Sequence, residues 1–236
     1  MSPRWRHFIA ALRCESRGSA RGAAAADGLA PREAARLLPL AGIAVGLVGA
    51  GVYWVAAQWW PTSIAVVLSM LATTLLTANL RERPDTASAG PQAGGPRVGA
   101  PYWVFALLVK YNALMALSAA SLPFPLPAYL ALGLIMVAGH AASRALMVSV
   151  AASNTATPLG VTATDLSLAL IVGLAPAALL GIPGLIGLAG AIAMRLGLGV
   201  YVFRKLALGL PAQLGVTQQV TETCFYLGAL ATWKYI

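Results

Sequence analysis

Five ionisable side chains sit inside long apolar runs of this chain: Lys110, His140, Arg144, Arg195 and Glu222. An ionisable group inside a membrane span is costly and is by default a functional hypothesis. Lys110 stands about nine residues into its run, or ~14 Å deep at 1.5 Å per residue. Arg144 and Arg195 each stand about eight residues before the basic end of theirs, or ~12 Å deep. Three cations at one depth suit a phosphate-bearing ligand, because guanidinium groups grip phosphate oxygens bidentately. His140 lies one turn from Arg144 on the same helical face. Each residue also has a plainer reading. Long cationic side chains snorkel to the interface, Arg144 can pair with Glu222, and His140 can be a hydrogen-bonded core residue. A second place for chemistry is the stretch LLTANLRERPDTASAG (75–90), where Glu82 and Asp85 follow directly on an apolar run. Those two acids belong either to a solvated exit loop or to a metal-binding pair.

The elements that must position these residues are helices. The chain has 236 residues, of which 59% are hydrophobic and only 10% charged, against roughly 25% charged in soluble domains. The composition places it in the bilayer, with lipid as its surroundings. Apolar runs at 37–60, 62–80, 101–122, 128–152, 166–181, 184–203 and 216–233 each approach the ~20 residues that a span needs. Gly181-Ile182-Pro183-Gly184 divides a run too long for one span, and Asp165 is placed to cap the helix after the polar loop 153–165. The fold class is therefore all-α, a polytopic bundle of about seven transmembrane helices over 37–236. Residues 1–36 form an N-terminal segment, in which Trp5, Phe8, Ile9 and Leu12 among arginines predict a helix lying in the interface.

Seven arginines precede the first run, three basic residues lie in 81–100 and two in 204–215. The positive-inside rule then puts the N-terminus in the cytoplasm. The net charge of +9 is explained by these flanks. No basic patch with interleaved aromatics points to nucleic acid. Cys14 and Cys224, the only cysteines, have neither disulfide nor zinc spacing.

Several stretches resemble the cobalamin synthase family of adenosylcobinamide-GDP ribazoletransferases. ARLLPLAGIAVGLVGAGVYW (35–54), SMLATTLLTANL (69–80), PRVGAPYWVFALLVKYNALMAL (96–117), HAASRALMVSV (140–150) and QQVTETCFYL (218–227) are similar to family segments. The family's acidic motif L-H-E-D-G-L-A-D-T-x-D-G is similar to the stretch from Leu80 to Ser88. There Glu82 fits the first acid and Asp85 a later one, while Arg83 and Ser88 stand where acids are usual. Gly95 and Ala212 also replace family aspartates, whereas Arg97, Gly99, Leu214, Gly215, Gln218 and Gln219 are retained.

The resemblance implies an inner-membrane enzyme that joins adenosylcobinamide-GDP to α-ribazole, or its 5'-phosphate, with release of GMP. It implies Mg2+ held by Glu82 and Asp85, which would be the catalytic acids, with Arg97, Lys110 and Arg144 on substrate phosphate. A homo-oligomer or a cobalamin-assembly complex is a further expectation. Two other readings stand beside the enzyme. One is a non-catalytic relative that binds corrinoid or nucleotide. The other is a small transporter, which would call for repeat symmetry that the sequence does not display.

Overall fold

The computed structural model describes residues 31–78, 100–119, 127–154, 160–203 and 210–233. The expected interfacial helix near Trp5 lies outside them. All regular structure among the described residues is helical. The helices are α1 (Pro31–Ala56), α2 (Thr62–Ala78), α3 (Ala100–Ala119), α4 (Ala128–Ser153), α5 (Ala163–Ala178), α6 (Ile182–Gly197) and α7 (Leu210–Trp233). A π-helical turn, Leu198–Val202, extends α6. Four of these elements are long and apolar enough to cross a membrane: α1, α3, α4 and α6 with its π turn. Helices α2 and α5 are apolar but shorter. The protein is a helical membrane bundle.

The helices fall on the expected runs, with three instructive differences. Helix α1 begins at Pro31, inside the stretch assigned to the N-terminal segment, since proline at a first helical position lacks only an N–H that would be unbonded anyway. Helix α5 is capped by Thr162, not Asp165. Thr162 Oγ1 accepts from the Asp165 backbone N–H at 3.2 Å, and Asp165 Oδ2 accepts from the Thr162 N–H at 3.1 Å. This is a reciprocal capping box with the acid at the third helical position, so the helix starts a turn before the acid. Helix α7 starts at Leu210, six residues earlier than its apolar run. Its polar side chains Thr217, Gln218, Thr221, Glu222 and Thr223 are buried against other helices rather than facing lipid.

The break between α5 and α6 is where the sequence put it. Gly181 has φ +64°, a left-handed conformation open to glycine without cost, and Pro183 follows within the first turn of α6.

Helix α4 is the axis of the bundle. Within its apolar window 89% of residues are buried inside the protein, against 22% for α3 and for α6. It packs on α1, α5 and α7, with lesser contacts to α3 and α6. Lipid tails supply no hydrophobic drive for helix association, so close van der Waals approach between small residues does the work. Gly42 and Gly46 of α1 lie on the α4 backbone; a Cβ added there would stand 2.5 Å from the His140 carbonyl oxygen and 2.6 Å from Val137 Cα respectively. Gly187 of α6 and Gly228 of α7 meet in the same way, the latter's Cβ position lying 2.9 Å from Gly187 Cα.

Candidate functional site

The close α1–α4 seam leaves room for the largest fully buried side chain of the described residues, Arg144. Its Cδ would lie 2.7 Å from a Cβ on Gly42, so glycine at 42 is what admits it. Arg144 Nη1 donates to the His140 carbonyl oxygen at 3.1 Å and sits 3.2 Å from His140 Nδ1. Glu222 reaches the same imidazole from α7, with Oε1 3.3 Å from Nδ1. These two contacts make opposite demands on one atom. Nδ1 must offer a lone pair to arginine and a hydrogen to carboxylate. The tautomer chosen decides whether Nε2, on the opposite side of the ring, donates or accepts.

Glu222 is the hub of the cluster. Its Oε1 lies 2.5 Å from Lys110 Nζ of α3 and accepts from the Tyr226 hydroxyl at 3.0 Å. The Lys110 ammonium also stands 5.9 Å from the Tyr226 ring centroid. Helices α3, α4 and α7 are thus joined through one carboxylate, buried like its lysine. Desolvating such a pair is repaid only with good geometry and further hydrogen bonds, which Tyr226 and His140 provide.

Beside this cluster lies a cavity of about 330 Å3. Thr73, Thr74 and Thr77 of α2 form one wall, and Trp103, Leu107 and Lys110 of α3 a second. The rest is His140 of α4 with Gln218, Gln219 and Glu222 of α7. His140 Nε2, Gln218 Oε1 and Gln219 Nε2 are buried with no hydrogen-bond partner among the described residues. The helical period explains the grouping: Trp103, Leu107 and Lys110 follow the i, i+4, i+7 pattern, and Gln218 and Glu222 are one turn apart.

The sequence expectations are met unevenly. Lys110, His140, Arg144 and Glu222 come together. Glu222 takes Lys110 as its ion-pair partner, where pairing with Arg144 was one expectation. Arg195 does not join them. Its Nε donates to Ser149 Oγ and its Nη2 to Ser153 Oγ, each at 3.0 Å, in the last turns of α4. Glu82, Asp85 and Arg97 lie outside the described residues; covalently they belong to the stretch that joins α2 to α3, two helices that line the cavity. Tyr226, Trp103 and the three threonines were not singled out from sequence, although a one-turn repeat of threonine in an apolar helix and the polar TQQVTET of α7 were the signals to follow.

The described residues do not fit a divalent metal ion. No three of His, Cys, Asp or Glu converge among them, and the one carboxylate on the cavity wall already faces an ammonium.

Comparison with known proteins accounts for this arrangement in a membrane bundle. The profile of the cobalamin-5-phosphate synthase family, CobS, matches residues 7–82. An adenosylcobinamide-GDP ribazoletransferase of Ralstonia nicotianae is 34% identical, covering 88% of this chain and 86% of its own. The chain belongs to this ribazoletransferase family. Ribazoletransferases of Ralstonia pickettii, 32% identical over 84% of this chain, and Shewanella piezotolerans, 29% identical over 85%, agree with it. No solved structure matches the chain significantly. Family members carry the name of an enzyme; the Glu222 cluster lies beyond the profile match, whereas the threonine wall of the cavity lies within it.

Proposed function

We propose that this protein joins adenosylcobinamide-GDP to α-ribazole, or its 5'-phosphate, at the cytoplasmic side of the bacterial inner membrane. The observation that carries the reading is near-full-length similarity to ribazoletransferases. A ribazole hydroxyl attacks the phosphorus bonded to the cobinamide oxygen, the bond from that phosphorus to the GMP oxygen breaks, and GMP leaves with the electron pair. The hydroxyl proton is given up to solvent or a neighbouring base. The N-terminus lies in the cytoplasm in this reading, because the arginines before α1 and the basic residues of 81–97 then share one side.

Glu82 and Asp85 are the residues that would hold Mg2+. Bound there, it would neutralise diphosphate charge. Arg97, retained from the family pattern, would meet the same phosphates. Lys110 and Arg144 support the site through the Glu222–His140 network, as positioning residues. With adenosylcobinamide-GDP and α-ribazole supplied to membranes, Glu82→Gln/Asp85→Asn is expected to lower product formation at least ~100-fold, the loss of a few kcal/mol of charge stabilisation. Full activity in that double variant would refute the metal assignment.

A non-catalytic relative that binds corrinoid or nucleotide is favoured by one observation. Arg83, Ser88, Gly95 and Ala212 stand where the family usually has acids. Corrinoid binding without turnover, insensitive to Mg2+, would support that second reading.

A further inference from the structure

We propose that His140 is the base that takes the proton from the attacking hydroxyl of the ribazole acceptor, and that Glu222 holds its ring in the tautomer this requires. The proposal rests on the ribazoletransferase reading and names the group that receives the proton in it.

His140 lines the cavity of about 330 Å3 and is only 2% exposed. Its Nε2 has no hydrogen-bond partner among the described residues. A buried ring nitrogen is unfavourable without a partner, and the cavity is where one can be supplied. Gln218 Oε1 and Gln219 Nε2 line the same cavity and are likewise buried and unpartnered among the described residues. One accepts and the other donates, so together they can hold further hydroxyls of a ribose while one hydroxyl meets Nε2. The same contacts serve ribazole and its 5'-phosphate, since only hydroxyls of the sugar ring are involved.

The tautomer follows from the partners of Nδ1. Glu222 Oε1 stands 3.3 Å from it and Arg144 Nη1 3.2 Å. Arg144 Nη1 has another acceptor, the His140 carbonyl oxygen at 3.1 Å. The carboxylate can only accept, so a lone pair on Nδ1 would face it repulsively. The hydrogen therefore sits on Nδ1, bonded to Glu222, and the lone pair of Nε2 is left to the cavity. Lys110 of α3 and Tyr226 of α7 bind the same carboxylate oxygen and hold it in place. A carboxylate on Nδ1–H with a free Nε2 is the arrangement by which histidine takes a hydroxyl proton in hydrolases of several unrelated folds.

The step balances. The acceptor O–H bond breaks and its proton goes to Nε2. The oxygen bonds the phosphorus attached to cobinamide, and the bond from that phosphorus to the GMP oxygen breaks with its electron pair on GMP. The imidazolium so formed keeps Glu222 at its Nδ1–H. Lys110 and Arg144 repel the new charge, so the proton passes on to water and the base is restored.

The test is the pH dependence of turnover in membranes carrying the full chain, supplied with adenosylcobinamide-GDP, α-ribazole and Mg2+. Among the described residues the charged and titratable groups of this cluster are Glu222 and Tyr226 from α7, Lys110 from α3 and Arg144 from α4. The rate is expected to fall as pH drops and Nε2 is protonated. In His140→Asn the amide keeps a donor toward Glu222 and leaves nothing at the Nε2 position. In the folded variant kcat is expected to fall about 100-fold or more, with KM for adenosylcobinamide-GDP little changed and the acid limb of the profile gone. An undiminished kcat, or the same acid limb in the variant, would overturn the proposal. Labelling with diethyl pyrocarbonate decides the matter if His140→Asn does not fold. His7 and His140 are the only histidines. In folded His7→Gln the label is expected on His140, and α-ribazole is expected to block it. An unlabelled His140, or labelling that α-ribazole leaves unchanged, would also overturn the proposal. The two readings fail differently. No turnover by the unmutated protein removes the transferase and its base together. Turnover undiminished in His140→Asn keeps the transferase and removes the base.

Discussion

Glu222→Ala is expected to destabilise the protein by about 3–5 kcal/mol, the usual cost of stranding one member of a buried ion pair. Roughly 2–4 °C per kcal/mol for a chain of this size makes that a fall of about 10 °C in the thermal unfolding midpoint in detergent. The cause is specific. Lys110 Nζ is buried and its nearest counter-charge is Glu222 Oε1 at 2.5 Å; the face of the Tyr226 ring, 5.9 Å away at its centroid, is a weak substitute. Lys110→Met alone should be similarly harmful, because Glu222 then keeps only Tyr226 and His140. Lys110→Met combined with Glu222→Leu should recover most of the loss, since replacing both partners by apolar groups is often neutral or stabilising. Strict additivity of the two single losses would show that the pair is not coupled and would contradict the arrangement described.

Gly139→Val carries the second large effect. A Cβ on Gly139 would lie 2.5 Å from Tyr226 Cε1 and 2.8 Å from its hydroxyl oxygen. Tyr226 is wholly buried, so its ring has nowhere to retreat, and overpacking of this kind costs about 1–3 kcal/mol. The clash also draws the Tyr226 hydroxyl away from Glu222, so the cluster is loosened together with the α4–α7 contact. Tyr226→Ala in the same chain should restore part of the lost stability by making space. Gly51→Ala is the internal control. Nothing lies within 4 Å of its added Cβ, and alanine for glycine in a helix is worth up to about 1 kcal/mol. An unchanged unfolding midpoint in Gly139→Val would show that α4 and α7 do not approach as closely as described.

Much of the fold could be read from hydropathy and punctuation. Gly181 and Pro183 divide α5 from α6 because one conformation and one missing N–H are local properties. The positions of Lys110 and Arg144 along their helices were also legible, since rise per residue is constant. Depth along a helix does not fix direction around it. That is why Glu222 finds Lys110 rather than Arg144, and why Arg195 turns to Ser149 and Ser153 on the far turns of α4. Asp165 is legible as a capping residue but not as the third helical position, because a capping box uses an acid three positions inside the helix as readily as one at its edge. The cavity was not legible at all. It is made by four helices distant in sequence, and a threonine or glutamine within an apolar run has no signature until its neighbours are known.

Turnover by this chain alone is what the ribazoletransferase reading requires. It is tested most directly in membranes containing this protein and no relative, supplied with adenosylcobinamide-GDP, α-ribazole and Mg2+, with adenosylcobalamin measured by chromatography. Adenosylcobalamin and GMP are expected in equal amounts, above the blank of empty membranes. No product, beside an active relative that retains the full set of motif acids, would contradict it and leave a membrane bundle that binds without transferring.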